Sequence, residues 1–379
     1  MSELKSWDDL ECNMDLLRGI YAYGFEEPSS IQKKAILPML SRKDIIAQAQ
    51  SGTGKTGAFT IGTLGQIDFE AKEIQAIVLS PTRELSKQIH TVFLNLGKMI
   101  NNIRVQLLVG GTSIEDDVKE LKNVPHIIVG CPGRINDMIR RKKISISNVK
   151  VIVLDEADEM LSKGFKDQIY NIFRQSNEET VQIALFSATM SQDLMHLSKD
   201  LLRNPEKILV KSEALTLEGI SQAYVLLENE VGKYETLKDL YSSFSMSQCI
   251  IYCNSLKRVI ELYDNMNNEK YPVCCLHSEQ SRTEREKAYH EFKNGKFRIL
   301  ISTNITARGI DIQQVSTVIN YDVPKDAHTY LHRIGRSGRW GRKGIGISFI
   351  TNRDIKKLRE IEKYYNTQIN ELQANFFNA

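Results

Sequence analysis

Four carboxylates follow an apolar run in Lys150-Val-Ile-Val-Leu-Asp-Glu-Ala-Asp-Glu-Met-Leu161. Residues 151–154 have the β-branched composition of a buried strand, and Asp155, Glu156, Asp158 and Glu159 bunch where that strand should stop. Acids in such a place can form a solvated turn. They can also hold a hard divalent cation, because Mg2+ binds carboxylate oxygen and water, and one of them can polarise an attacking water as general base.

A second segment supplies something for such a cation to serve. Ala47-Gln-Ala-Gln-Ser-Gly-Thr-Gly-Lys-Thr56 runs from strand-like residues into a helical stretch, with Gly52 and Gly54 just ahead of Lys55 and Thr56. A helix N-terminus offers unpaired N–H groups and a positive dipole end, and small residues such as Ser51, Gly52, Thr53 and Gly54 let the backbone wrap a phosphate. Lys55 adds a point charge, and Thr56 is placed to hold Mg2+. The pattern departs from the usual phosphate loop by having Ala49 where a glycine normally begins it. A plain glycine-rich turn is the alternative, but the Gly-Lys-Thr ending between strand and helix favours nucleotide binding. Asp155 then becomes a Mg2+ ligand acting through water and Glu156 a general base, since alternation at a strand end sends neighbouring side chains in different directions. Glu159 reads as the solvated start of the next helix.

Positioning these groups requires a particular scaffold. Short apolar runs at 45–49, 76–80, 105–109, 127–130, 151–154 and 183–186 alternate with helical, charged stretches, and a second series follows at 249–253, 273–276, 299–302, 318–321 and 345–350. Such alternation predicts an α/β protein of two lobes, each a mainly parallel sheet with helices on both faces. The expected boundaries are 1–208 for the first lobe, 209–219 for a linker and 220–379 for the second, with residues 204–219 read as the junction. Ligands of open parallel sheets bind at the carboxyl ends of the strands. Here the unusual polar residues cluster after those ends.

With 379 residues, 41% of them hydrophobic and 26% charged, the chain can build two such lobes, which excludes disordered and collagen-like classes. No apolar run reaches the roughly 18 residues of a membrane span, and no basic and then apolar leader opens the chain. A cytoplasmic or nuclear protein without a membrane partner is expected. The six cysteines lack paired spacing and read as reduced, mostly buried thiols. A net charge of +3 only permits nucleic-acid binding, and the basic run from Arg140 to Lys143 reads most simply as a solvated helix end.

Asp155-Glu-Ala-Asp158 spells DEAD, and over essentially its whole length the chain resembles the DEAD-box ATP-dependent RNA helicases. Further matches come in that family's order: Gly24-Phe-Glu-Glu-Pro-Ser-Ser-Ile-Gln32, Pro81-Thr-Arg-Glu-Leu85, Ser187-Ala-Thr189, Ala307-Arg-Gly-Ile-Asp311 and His332-Arg-Ile-Gly-Arg-Ser-Gly-Arg339. The resemblance implies two RecA-like lobes, with ATP and Mg2+ as cofactors. Gln32 would read the adenine edge, with Trp7, where the family usually has Phe, and Phe25 enclosing the base either by stacking or by packing the pocket wall. Asp158, Ser187, Thr189 and His332 would couple the phosphate site to the rest of the protein, Asp311 would hold the ribose, and Arg336 and Arg339 would act as arginine fingers. A solvated basic helix is the alternative for Arg333, Arg336, Arg339, Arg342 and Lys343.

RNA, mainly single-stranded and held by its backbone, would meet Thr82, Arg83, Gly110, Gly111, Pro132, Gly133, Arg134, Arg285, Thr303 and Gly309. Such contacts grip phosphate and sugar without reading bases. Three positions depart from the family pattern: Cys131 replaces a Thr, Arg282 a Gln and Asn304 an Asp. Within the family the chain looks most like the translation initiation factor four-A group, which includes the exon junction complex helicase. A bare, monomeric two-lobe core is expected, with targeting supplied by a scaffold or regulator of the initiation or exon-junction type. It would act either as an unwinder of short duplexes or as an ATP-dependent RNA clamp.

Overall fold

A computed structural model describes residues 3–49, 52–209, 220–243, 248–304, 315–337 and 344–373. Ser51, Gly309, Asp311 and Arg339 lie outside the described residues. The chain divides into two compact units, 1–210 and 211–379.

In the first unit the strands are β1 (Ile45–Gln48), β2 (Ala76–Leu79), β3 (Val105–Leu108), β4 (Ile127–Gly130), β5 (Val151–Asp155), β6 (Gln182–Ser187) and β7 (Glu206–Leu209). They form a parallel sheet in the order β3-β4-β2-β5-β6-β1-β7. Side-chain alternation explains how two layers of helices are held. Ala47, Val78, Val129, Val153 and Phe186 enter one buried cluster, while Ile46, Ile77, Ile128, Ile152 and Leu185 enter another on the opposite face. The order sets β5, β6 and β1 side by side, and the register pairs Asp155 with Phe186 and Gln48 with Ser187. The phosphate loop, the acids and Ser187 therefore leave the same sheet edge from adjacent strands.

The second unit carries β8 (Ile220–Leu227), β9 (Cys249–Tyr252), β10 (Val273–Leu276), β11 (Ile299–Ser302), β12 (Thr317–Asn320), β13 (Gly344–Thr351) and β14 (Asn370–Glu371), in the order β10-β11-β9-β12-β13-β8-β14. All described pairings are parallel, and the order repeats that of the first unit strand for strand. Two buried clusters again lie on opposite faces of the sheet, one containing Ile250, Leu300 and Val318 and the other Ile251, Ile301 and Ile319.

Three strands were not expected. Within the stretch read as the junction, β7 is an edge strand whose one buried apolar residue is Ile208; Asp44 O accepts a hydrogen bond from Glu206 N at 2.7 Å. Ser221 and Gln222 break the apolar pattern of β8, yet β13 pairs with it over eight residues. The third, β14, has only two residues. All six cysteines are free thiols, and five are buried. No helix among the described residues is long and apolar enough to cross a membrane.

Candidate functional site

Between β1 and the helix Lys55–Leu64, Gly52 and Gly54 take φ values of 86° and 98°, where side chains are strained. Space also demands glycine at position 54, because a Cβ there would lie 2.8 Å from Ser29 Oγ and 2.9 Å from Gln32 Nε2. Lys55 Nζ donates to Ala49 O at 2.7 Å and stands 3.8 Å from Glu156 Oε1, with both side chains 6% exposed. Thr56 follows in the first turn of the helix.

The acids separate as the chain turns out of β5. Glu156 adopts a left-handed backbone, φ 51° and ψ 48°, and its N–H donates to Asp155 Oδ1 at 3.0 Å. Burial, with the neighbouring Glu156 charge, pushes the Asp155 carboxyl up to about 7 against the opposing pull of Lys55. Asp158 accepts from Ser187 Oγ and Thr189 Oγ1, each at 2.7 Å, in a buried cluster. Glu159 is not a solvated residue: it is buried and pairs with Lys163 at 2.7 Å, one helical turn on.

Buried carboxylates beside a single lysine form an oxygen-rich, acidic donor set that suits a hard divalent cation. Among the described residues no three His, Cys, Asp or Glu side chains converge as a metal cage. A Mg2+ that keeps water and phosphate as partners requires only one or two carboxylates. The donor set fits that ion.

Gln32 binds the loop to the segment ahead of it. Its Oε1 accepts from Ser29 N at 2.8 Å and its Nε2 donates to Gly54 O at 3.3 Å. Trp7 is wholly buried, whereas the half-buried Phe25 lies on it with rings 6.0 Å apart and 15° from parallel. Of the two rings, Phe25 is the more exposed. Gly57, missed in the sequence reading, admits this arrangement, since a Cβ there would sit 3.0 Å from the Phe25 ring and 2.6 Å from Gln32 Nε2. Its signal was a third glycine directly after Gly-Lys-Thr.

Thr82 and Arg83 follow β2, Gly110 and Gly111 follow β3, and Pro132, Gly133 and Arg134 follow β4, which brings all seven to one edge. Thr82 Oγ1 accepts from Leu85 N at 3.2 Å and so caps the helix Arg83–Leu96. The Arg83 guanidinium lies against both glycines; Gly111 has φ 81°, and a Cβ there would meet Arg83 Nη1 at 2.3 Å. Pro132 opens the helix Pro132–Arg140, and Gly133 beside it is exposed. Arg134 is turned inward and ion-paired with Asp117. Cys131 is buried with its Sγ 3.6 Å from Ser86 Oγ, and burial pushes its thiol up.

In the second unit Thr303 and Asn304 follow β11, Arg285 is half-buried on the helix Arg282–Lys293, and His332 and Arg336 are buried around the end of the helix Ala327–Ile334. Arg336 Nε donates to His332 O at 3.2 Å. Arg333, read as part of a possible solvated helix, is instead wholly buried over the Tyr252 ring. It donates to Asn304 Oδ1 and Asn254 Oδ1, both at 2.7 Å, to Asp322 O at 2.8 Å and to Asn320 Oδ1 at 3.3 Å. Burial lowers its pKa to about 10.

Comparison with known proteins agrees with this arrangement. The DEAD/DEAH box helicase family matches residues 29–197, and the helicase conserved C-terminal domain matches 232–341. Eukaryotic initiation factor 4A of Caenorhabditis elegans is 49% identical over 97% of this chain and 91% of its own length. The ATP-dependent RNA helicase eIF4A of Schizosaccharomyces pombe is 49% identical over 98% and 94%. Among solved structures, S. cerevisiae Dbp5 bound to RNA and ADP BeF3 superposes with a TM-score of 0.90 at 36% identity, covering 99% of this chain and 97% of that one. Mss116p bound to ssRNA and AMP-PNP gives 0.87 at 26% identity, covering 98% and 80%. With both helicase domains in order, twin RecA-like sheets and near-half identity along almost its entire length, this chain belongs to the DEAD-box ATP-dependent RNA helicases of the initiation factor 4A type, a family of ATP-hydrolysing enzymes.

Proposed function

We propose that the chain grips single-stranded RNA through its sugar-phosphate backbone and couples ATP hydrolysis to local separation of short RNA duplexes, in translation initiation or another step of mRNA metabolism. The observation that carries this reading is the meeting of Lys55, Asp155, Glu156 and the Asp158–Ser187–Thr189 cluster at one sheet edge. Lys55 exchanges the Ala49 carbonyl for the ATP phosphates, while Gln32 and Phe25, backed by Trp7, receive the adenine. Asp155 and Thr56 are the residues that would hold Mg2+, whose charge offsets that of the phosphate oxygens. Glu156 takes the proton of the attacking water.

The lobes of this mechanism are residues 1–208 and 220–379, joined by 209–219. From the second come Arg336 and Arg339 for the γ-phosphate, Asp311 for the ribose and His332 for coupling. RNA lies on Thr82, Arg83, Gly110, Gly111, Pro132, Gly133, Arg285, Thr303 and Gly309. Support comes from two structural neighbours, Dbp5 bound to RNA and ADP BeF3 and Mss116p bound to ssRNA and AMP-PNP. ATP and RNA both favour the closed lobes, so each strengthens the other's binding. A bent strand fits that state and a regular duplex does not.

The test is Glu156→Gln. Its ATP and RNA affinities should persist while turnover with saturating RNA drops about 10²-fold or more. Turnover equal to that of the unmodified chain would remove Glu156 from the reaction.

A further inference from the structure

One buried acid near the proposed RNA edge has no part in the reading above. Asp117, on the helix Ile114–Glu120, is 5% exposed. Its carboxylate faces the loop that follows β3. Asp117 Oδ2 pairs with Arg134 Nη1 and accepts from Thr112 Oγ1 at 3.2 Å. Arg134 closes the ring, with Nη1 3.1 Å from Thr112 Oγ1 and Nη2 2.8 Å from Thr112 O. The Thr112 hydroxyl also lies 2.9 Å from Val109 O, so the two ends of the turn through Gly110 and Gly111 are tied together.

A buried carboxylate beside an RNA-binding edge is unfavourable on two counts, desolvation and repulsion of phosphate. Burial pushes the Asp117 carboxyl up, and Arg134 only partly opposes this. Such a group is tolerated where it fixes a geometry. Here the geometry is that of two glycines, one with a left-handed backbone, packed under the Arg83 guanidinium.

We propose that Asp117 is a positioning residue for RNA binding: it holds Arg134, and through Arg134 and Thr112 it holds residues 110–112 in the shape that meets the RNA backbone. Arg134 then contributes position and no phosphate contact. The proposal rests on the RNA-binding reading above.

RNA affinity of the whole chain, with a non-hydrolysable ATP analogue and a uniform single-stranded RNA, is measured across a salt series for Asp117→Asn, Thr112→Val, Arg134→Gln and the Asp117→Asn/Arg134→Gln double variant. Each single change should weaken RNA binding about tenfold, as expected for loss of a charged hydrogen-bonded ring. The double variant should be no weaker than the worse single one. The slope of log affinity against log salt should stay that of the unmodified chain, because no phosphate contact is lost. In RNA-stimulated ATP hydrolysis the half-saturating RNA concentration should rise by the same factor, with turnover at saturating RNA within twofold.

Thr112→Val removes a hydroxyl and no charge, so it carries the test should Asp117→Asn fail to fold. A slope reduced by about one in Arg134→Gln would make Arg134 a direct phosphate ligand and overturn the proposal. Unchanged or tighter RNA binding in Asp117→Asn or Thr112→Val would overturn it too. An unmodified chain that binds no RNA would overturn this proposal and the function together, whereas normal RNA binding by every variant defeats the positioning role alone.

Discussion

At the scale of single residues, Asp155 links the site to pH. Its carboxyl is raised in the folded chain from an ordinary 3.8 to about 7, so the folded state holds a proton that the unfolded state gives up. The stability tied to that proton is complete below the unfolded value and is lost as pH rises through about 7. In the absence of ligand the unfolding midpoint should therefore decline between about pH 4 and pH 7 and level off above, and Asp155→Asn should flatten the decline and exceed the unmodified chain at the upper end. Mg2+-dependent ATP binding should run the other way, strengthening as the carboxylate ionises. A midpoint in Asp155→Asn that follows the same pH profile as the unmodified chain would show that the proton resides elsewhere. Gly111→Ala offers a second check, since its Cβ meets the Arg83 guanidinium from a left-handed backbone. It should weaken RNA binding about tenfold, by roughly the 1–3 kcal/mol of such strain; unaltered affinity would exclude that loop from the RNA edge. The acids and the phosphate loop were legible in the sequence because their chemistry is local. The inward turn of Arg134 was not, because its partner Asp117 lies 17 positions away. Glu159 was misread because a carboxylate with Lys163 one turn on looks the same in sequence whether it is buried or solvated.

At the scale of elements, two contacts turn on single atoms. Gly19 sits inside the helix Met14–Ala22, where alanine is the better helix former by about 1 kcal/mol. Yet a Cβ at Gly19 would lie 2.0 Å from Leu96 O at the end of a neighbouring helix. Overpacking against backbone should win, so Gly19→Ala should destabilise the chain by about 1–3 kcal/mol in denaturant unfolding. A stabilised variant would show that the helices move apart at little cost. In the second unit, Arg333 is satisfied by three asparagine oxygens and one backbone carbonyl, with no carboxylate among those four partners. Asn304→Asp would turn its 2.7 Å contact into a charge-assisted one. Stability should increase by about 1 kcal/mol, or about 2–4 °C in the melting midpoint; a lower midpoint would mean that the exposed side chain at 304 gains less from the charge than it loses in holding the Arg333 contact. Most strands were legible as apolar runs because both faces of each sheet are covered. The polar interruptions in β8 and the single buried apolar residue of β7 hid those two. Burial of Arg333 was hidden as well, since it depends on Asn254, Asn304 and Asn320 arriving from three separate strand ends.

At the scale of the whole molecule, the same strand order is used twice, but only the first sheet carries the Gly-Lys-Thr loop and the DEAD acids at its carboxyl edge. The second carries the paired, buried His332 and Arg336. Neither half holds all the groups that the proposed reaction needs, and this division makes reciprocal coupling the central claim. Its measurement is the affinity for single-stranded RNA with and without a non-hydrolysable ATP analogue, alongside the affinity for that analogue with and without RNA. Each ligand should tighten the other by the same factor, about 5–150-fold for a coupling of 1–3 kcal/mol. Affinities for RNA and analogue that ignore one another would contradict the account.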